Sequence, residues 1–203
     1  IIDWKKRKQI CEELLTFSYK GLYSILTRNH FLFDIILDDS LSEEKLKKYK
    51  VLILPDACLL GDEQLKIIKS FVSKGGNLIS SFEAGFYDEE GKEKKKRIFE
   101  LLGIKKIDGL FPPIKGENYF KADRNIFGFQ KNQLIERSPY AFKIIPENKV
   151  KSFFTFLNPI PRVYLPLKGV SKYPAILINK FGKGNVIYFP FNFGSFYGEY
   201  KPE

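Results

Sequence analysis

Apolar positions recur at helical spacing over residues 6–28. Ile10, Leu14, Phe17, Gly21 and Ile25 form one stripe, with Leu15, Leu22 and Leu26 beside it. Asn29-His30 closes this predicted helix, and the mostly apolar run from Phe31 to Leu37 predicts a strand. Ser40-Leu41-Ser42-Glu43 fits a capping box and opens a short helix to about Tyr49. Val51-Leu52-Ile53-Leu54-Pro55 is continuously apolar, as expected of a strand covered on both faces. Asp62 then caps a helix whose stripe is Leu65, Ile68 and Val72, with Ile67 and Phe71 alongside and Gly75-Gly76 as terminator. Asn77 to Phe82 predicts a third strand, and residues 94–102 a helix closed by Gly103. Alternating strands and helices are the signature of a parallel sheet with right-handed crossovers. The opening helix has no strand ahead of it beyond the stub Ile1-Ile2-Asp3.

The rhythm changes after Ile104. Helical stripes vanish, and prolines punctuate short apolar runs (Pro112, Pro113, Pro139, Pro146, Pro159, Pro161, Pro166 and Pro174), which predicts antiparallel strands. The clearest hairpin joins Ala175–Lys180 to Asn185–Pro190 through Phe181-Gly182-Lys183-Gly184. No internal repeat or low-complexity linker interrupts the chain.

Composition adds an asymmetry. The 203 residues are 44% apolar, enough for a substantial core, and carry a net charge of +10. Residues 1–104 hold 18 basic and 17 acidic side chains, whereas residues 105–203 hold 16 and 7. The basic half also has 13 of the 20 Phe and 7 of the 11 Tyr. Basic side chains interleaved with rings suit phosphates and bases. However, Lys outnumbers Arg 28 to 6, and Arg is the residue that reads bases bidentately. Nucleic acid is therefore disfavoured as a partner, and a Lys-rich surface over an aromatic β core is the simpler alternative. No apolar run reaches the roughly 20 residues of a membrane span. The first residues do not form a signal peptide, so a cytoplasmic location is expected. The sequence contains no Met, which suggests a segment of something longer; with abundant Lys and few Cys, it also fits a thermophilic source.

The candidate chemistry is sparse. Cys11 and Cys58 are far apart and His30 is the only histidine, so neither a zinc site nor a cofactor is expected. His30, beside Asn29 at a helix end, suits a capping role better than catalysis. In open α/β sheets, ligands bind beyond the C-terminal ends of the parallel strands. That rule selects the loops Asp38-Asp39-Ser40, Pro55-Asp56-Ala57-Cys58 and Ser81 to Tyr87. Convergence of Asp38, Asp56 and Glu83 there would suit acid–base work or sugar hydroxyls. Capping of helices and loop amides is the structural alternative for Asp38 and Asp56. Glu83 and Asp56 are the catalytic candidates. Asp38, Cys58, Ser81, Tyr87 and Asn192 are the binding candidates.

Residues 23–104 resemble the trimerisation domain of family 42 β-galactosidases and related glycoside hydrolases. The likeness is carried by Tyr49–Pro55, Leu60–Leu65, Val72–Ile79, Ser81–Gly91 and the late segment Pro174–Pro190 with its Gly-Lys-Gly turn. It implies a class I glutamine amidotransferase-like fold, a flavodoxin-like three-layer sandwich with a mainly parallel sheet. It also implies three parts: an α/β core over 1–104, a variable β-rich insertion over 105–173, and C-terminal strands over 174–203 that complete the core. In active amidotransferases the third loop is an elbow of the form G-x-C-x-G, served by a downstream His-x-Glu pair. Here Glu83 stands at the place of that Cys, and no histidine follows His30. A carboxylate without a base does not replace an activated thiolate. The resemblance thus implies a fold that has lost its ancestral chemistry.

Three functions follow. The first is a non-catalytic module of a glycoside hydrolase, acting in oligomerisation or in shaping a carbohydrate site, with a second copy or a neighbouring catalytic barrel as partner. The second is a carbohydrate-active enzyme using Glu83, Asp56 and Tyr87. The third is a polyanion-binding module built on the basic aromatic half. Residues 105–173 supply either an interface or the core of a small β layer.

Overall fold

The computed structural model describes residues 4–113, 117–160, 166–167 and 169–195, with side chains from residue 16 onward. The stub Ile1-Ile2-Asp3 lies outside the described residues. Four helices, α1 (Trp4–Arg28), α2 (Glu43–Leu46), α3 (Asp62–Ser73) and α4 (Lys96–Leu102), accompany nine strands. These are β1 (Val51–Leu54), β2 (Asn77–Ser81), β3 (Ile104–Leu110), β4 (Tyr119–Lys121), β5 (Leu134–Glu136), β6 (Phe142–Pro146), β7 (Lys151–Leu157), β8 (Val170–Phe181) and β9 (Gly184–Phe189).

Seven strands form one sheet in the order β1-β2-β9-β8-β7-β4-β5, and β3 pairs with β6 in a small second sheet. The first three strands are parallel. From β9 onward every neighbour is antiparallel. The fold is α/β as expected, but the sheet is mixed rather than mainly parallel. The physical reason lies in the connections. Helices α3 and α4 follow β1 and β2, whereas among the described residues no helix lies between the strands from β3 to β9.

Period-two alternation divides the interior between the two faces of the sheet. Leu54, Leu78, Leu177, Val186 and Tyr188 join α2, α3, α4 and the β3–β6 pair in one core. Ile176, Ile178, Ile187 and Phe189 pack on the other, with Phe111, Phe120, Phe154, Phe156 and Phe191. The aromatic residues of the basic half therefore form mostly β-layer core. At its centre Arg137 is buried between the rings of Phe111 and Phe156, 5.1 and 4.8 Å from their centroids. Burial pulls its guanidinium down to about 10.

Local signals misplaced two helix caps. Ser42, not Ser40, accepts the Lys45 amide at the start of α2. Gly61 rather than Asp62 is the N-cap of α3, with Gln64 Oε1 accepting from the Gly61 amide at 2.7 Å. The largest difference is Phe31–Leu37. It has no strand pairing and runs exposed beside the sheet, with Leu32 fully exposed and Phe31, Ile35 and Leu37 more than half exposed.

Candidate functional site

The ends of β1, β2 and β9 meet in a crevice built on strained backbone. Asp56 and Phe82 have φ of 58° and 45°, in the left-handed region that non-glycine residues rarely occupy. Asp56 is 5% exposed and holds both turns in place. Its Oδ1 accepts from the Glu83 amide at 3.1 Å, and its Oδ2 accepts from Asn192 Nδ2 at 2.7 Å. Its own amide donates to Ser81 Oγ at 3.1 Å. Asn192, fully buried, accepts from the Ser195 amide at 2.9 Å. Tyr188 donates its hydroxyl to the Phe82 carbonyl at 2.7 Å. Burial, then the charges of Asp56 and Glu83, push the Tyr188 phenol well above its ordinary range.

The neighbouring loops are stapled together. Gly85 and Tyr87 donate their amides to the carbonyls of Ala57 and Cys58. The Arg97 guanidinium donates to the carbonyls of Tyr87 and Leu60, and to Asp62 Oδ1 at 2.6 Å. That bond holds the Asp62 carboxyl below its ordinary value. Lys94, then the Lys92 amide, do the same for Asp88. Helix α1 also closes on this end: a Cβ at Gly194 would lie 2.2 Å from the Ser18 carbonyl oxygen.

Asp56, Ser81 and Asn192 are thus brought together with the main chain of Glu83. Cys58 and Tyr87 pair through their backbones, and the Tyr87 ring belongs to the core. Asp38 sits apart and exposed, accepting the Asp39 amide on its side chain and Gln64 Nε2 on its carbonyl. The expected trio of carboxylates is therefore a pair, and one of that pair is a main-chain anchor. His30 ends α1 with φ of 56°, while Asn29 Nδ2 donates to the Ile25 carbonyl, so this end is a helix cap. No motif signalled Arg97, Tyr188 or Arg137, because Asp62 and the Leu60 carbonyl, the Phe82 carbonyl, and the rings of Phe111 and Phe156 that they meet lie far from them in sequence. Among the described residues, no three His, Cys, Asp or Glu side chains are placed to hold a metal. No described helix is long and apolar enough to cross a membrane. An open cleft of about 440 Å³ lies at the opposite end of the strands, lined by Tyr49, Lys50, Lys74 and Asn77. It is remote from every candidate residue.

Fold and crevice define a mixed α/β module whose strand-end carboxylate is engaged in holding its own turns. Residues 14–105 match the model of the β-galactosidase trimerisation domain. The β-galactosidase GalA of Bacillus licheniformis is 25% identical over 112 residues, which is 53% of this chain and 16% of that protein. Two solved structures share the fold. The β-galactosidase of Rahnella sp. R3 has 18% identity and a TM-score of 0.66, over 88% of this chain and 26% of that one. The α-L-fucosidase isoenzyme 2 of Paenibacillus thiaminolyticus has 20% identity and a TM-score of 0.64, over the same shares. The chain spans about a quarter or less of each of these proteins.

Proposed function

We propose that this chain is a non-catalytic module of a glycoside hydrolase, acting in oligomerisation beside a catalytic barrel and shaping the approach to its carbohydrate site. In this reading residues 1–104 and 174–203 form a core of flavodoxin-like, amidotransferase-like descent. Residues 105–173 are its insertion, the part expected to contact a partner subunit or barrel. The observation that carries the reading is the state of Asp56. Its Oδ1 accepts the Glu83 amide and its Oδ2 accepts Asn192 Nδ2, so both oxygens of the carboxylate are engaged in structural bonds rather than poised for proton transfer. Glycoside hydrolysis ordinarily uses two catalytic carboxylates, and an Asp56 committed to these bonds does not suit the second role beside Glu83. The match of residues 14–105 to a trimerisation domain supports the same reading. A panel of chromogenic glycosides tests it. The expected result is no turnover by the chain; hydrolysis that Glu83→Gln abolishes would replace the module with an enzyme.

A further inference from the structure

Arg137 follows β5 directly and buries its guanidinium in the β layer, where the residue is 2% exposed. Its Nη1 donates to the carbonyls of Ser138 and Pro139, at 2.6 and 3.3 Å. Its Nε and Nη2 are also buried, and among the described residues they meet no acceptor. These two nitrogens form one edge of the planar guanidinium, with their N–H groups pointing the same way. Such an edge takes both oxygens of a single carboxylate side by side.

The charge around this edge is one-sided. The rings of Phe111 and Phe156 attract the cation from 5.1 and 4.8 Å. A second cation shares one of those rings, since the Lys143 ammonium lies 5.2 Å from the Phe111 centroid. Among the described residues neither cation belongs to an ion pair. The carboxylates close by in sequence or packing are engaged elsewhere. Glu136 precedes Arg137 and, by strand alternation, faces the other side of the sheet. Burial and the charge of Glu117 raise its carboxyl, so Arg137 gives it no stabilisation. Asp108 approaches through Tyr173, whose ring meets Phe111, but its oxygens accept from the Tyr173 hydroxyl and Lys106. A buried cation without an anion is costly, and rings with two carbonyls offset only part of that cost. Pro139 and Lys143 are half-buried, which places the edge one side chain below the surface.

We propose that the Nε–Nη2 edge of Arg137 is a binding site for a small carboxylate, held by two parallel N–H···O bonds. The ion enters by local opening of the layer at Pro139 and Lys143, and the Lys143 ammonium adds attraction on the way. A carboxylate fits better than a phosphate. Two donors satisfy its two oxygens, whereas a phosphate carries further oxygens into an aromatic layer without donors for them. The site uses none of the groups that brace the Asp56 turns, and it lies in the basic half of the chain.

Acetate is the probe. It is titrated into the 203-residue chain at constant ionic strength against chloride, while the arginine Nε–H resonances are followed by NMR. The Arg137 signal is recognised by its contacts with the Phe111 and Phe156 rings. A saturable shift of that signal, and of no other arginine, is expected, and inorganic phosphate is expected to shift it less. Binding by variants is read from the rise of the unfolding midpoint with acetate. Arg137→Lys keeps the charge but loses the two-donor edge, and weakens acetate binding by about 10-fold or more. Lys143→Gln changes a half-buried side chain, keeps the fold, and weakens binding by about twofold to fivefold. If Arg137→Lys does not fold, the wild-type resonance and Lys143→Gln decide. Four results overturn the proposal: an Arg137 signal that ignores acetate, a shift that chloride reproduces, phosphate binding more tightly than acetate, or acetate binding that survives Arg137→Lys unchanged.

Discussion

Asp56 combines a left-handed φ with near-complete burial, and both features depend on the donors around its carboxylate. Asp56→Ala strands the Glu83 amide and the Asn192 side-chain amide, and is expected to destabilise the protein by about 2–3 kcal/mol in urea unfolding. Asp56→Asn is milder, because one acceptor survives while its new amide group opposes an N–H donor. A catalytic carboxylate would behave differently, since its removal typically leaves the fold intact. Tyr188 gives a pH signature. Its folded pKa lies above the unfolded value near 10, so its contribution is present below pH 10 and is lost as pH rises through the folded value. Tyr188→Phe is expected to cost about 1 kcal/mol near neutrality, by loss of the bond to the Phe82 carbonyl, and to flatten the alkaline fall in stability. Of these residues, Asp56, Ser81 and Asn192 were legible as members of a strand-end site. Their role as a brace was not, because the bond from Asn192 to Asp56 spans 136 residues.

At the scale of elements, helices and the C-terminal hairpin were legible from apolar periodicity. β8 and β9 pair as read, with Leu177 opposite Tyr188 and Ile178 opposite Ile187. The caps were not: Ser40 fits the S-x-x-E pattern with Glu43, whereas Ser42, which caps the helix, has Lys45 at that spacing. Antiparallel strands after Ile104 were legible too, but not that they join β1 and β2 in one sheet, since pairing between distant strands leaves no local signal. The turn that carries Glu83 is tightly specified at Gly85, where φ is +71° and a Cβ would lie 2.6 Å from Ile98 Cδ1. Gly85→Ala is expected to lower stability by about 1–3 kcal/mol through strain and overpacking, measured by thermal or urea unfolding. The loop beyond it responds to acid. Asp88 is held below its ordinary value by Lys94, so its contribution is complete above about pH 4 and is lost as pH falls through the lower folded value. Lys94→Ala is therefore expected to reduce the acid-side slope of stability below about pH 4 and, because Asp88 holds the Lys94 ammonium above its ordinary value, to remove the matching fall in stability at alkaline pH.

At the scale of the molecule, the charge asymmetry and the fold tell different stories. The basic half builds a β layer whose rings are mostly internal, which removes most of the stacking platform that a single-stranded nucleic acid would need. What remains on the surface is Lys charge, and weak, salt-sensitive retention on heparin is the expected behaviour. The turn from Ser81 to Tyr87 carries no cysteine or histidine, so release of ammonia from glutamine is not expected. The account's central claim is that this chain is an assembly module and not an enzyme. Light scattering coupled to size exclusion tests it most directly. The account predicts a homo-oligomer with a mass that is a multiple of 23.6 kDa. A mass of 23.6 kDa at every concentration would contradict it.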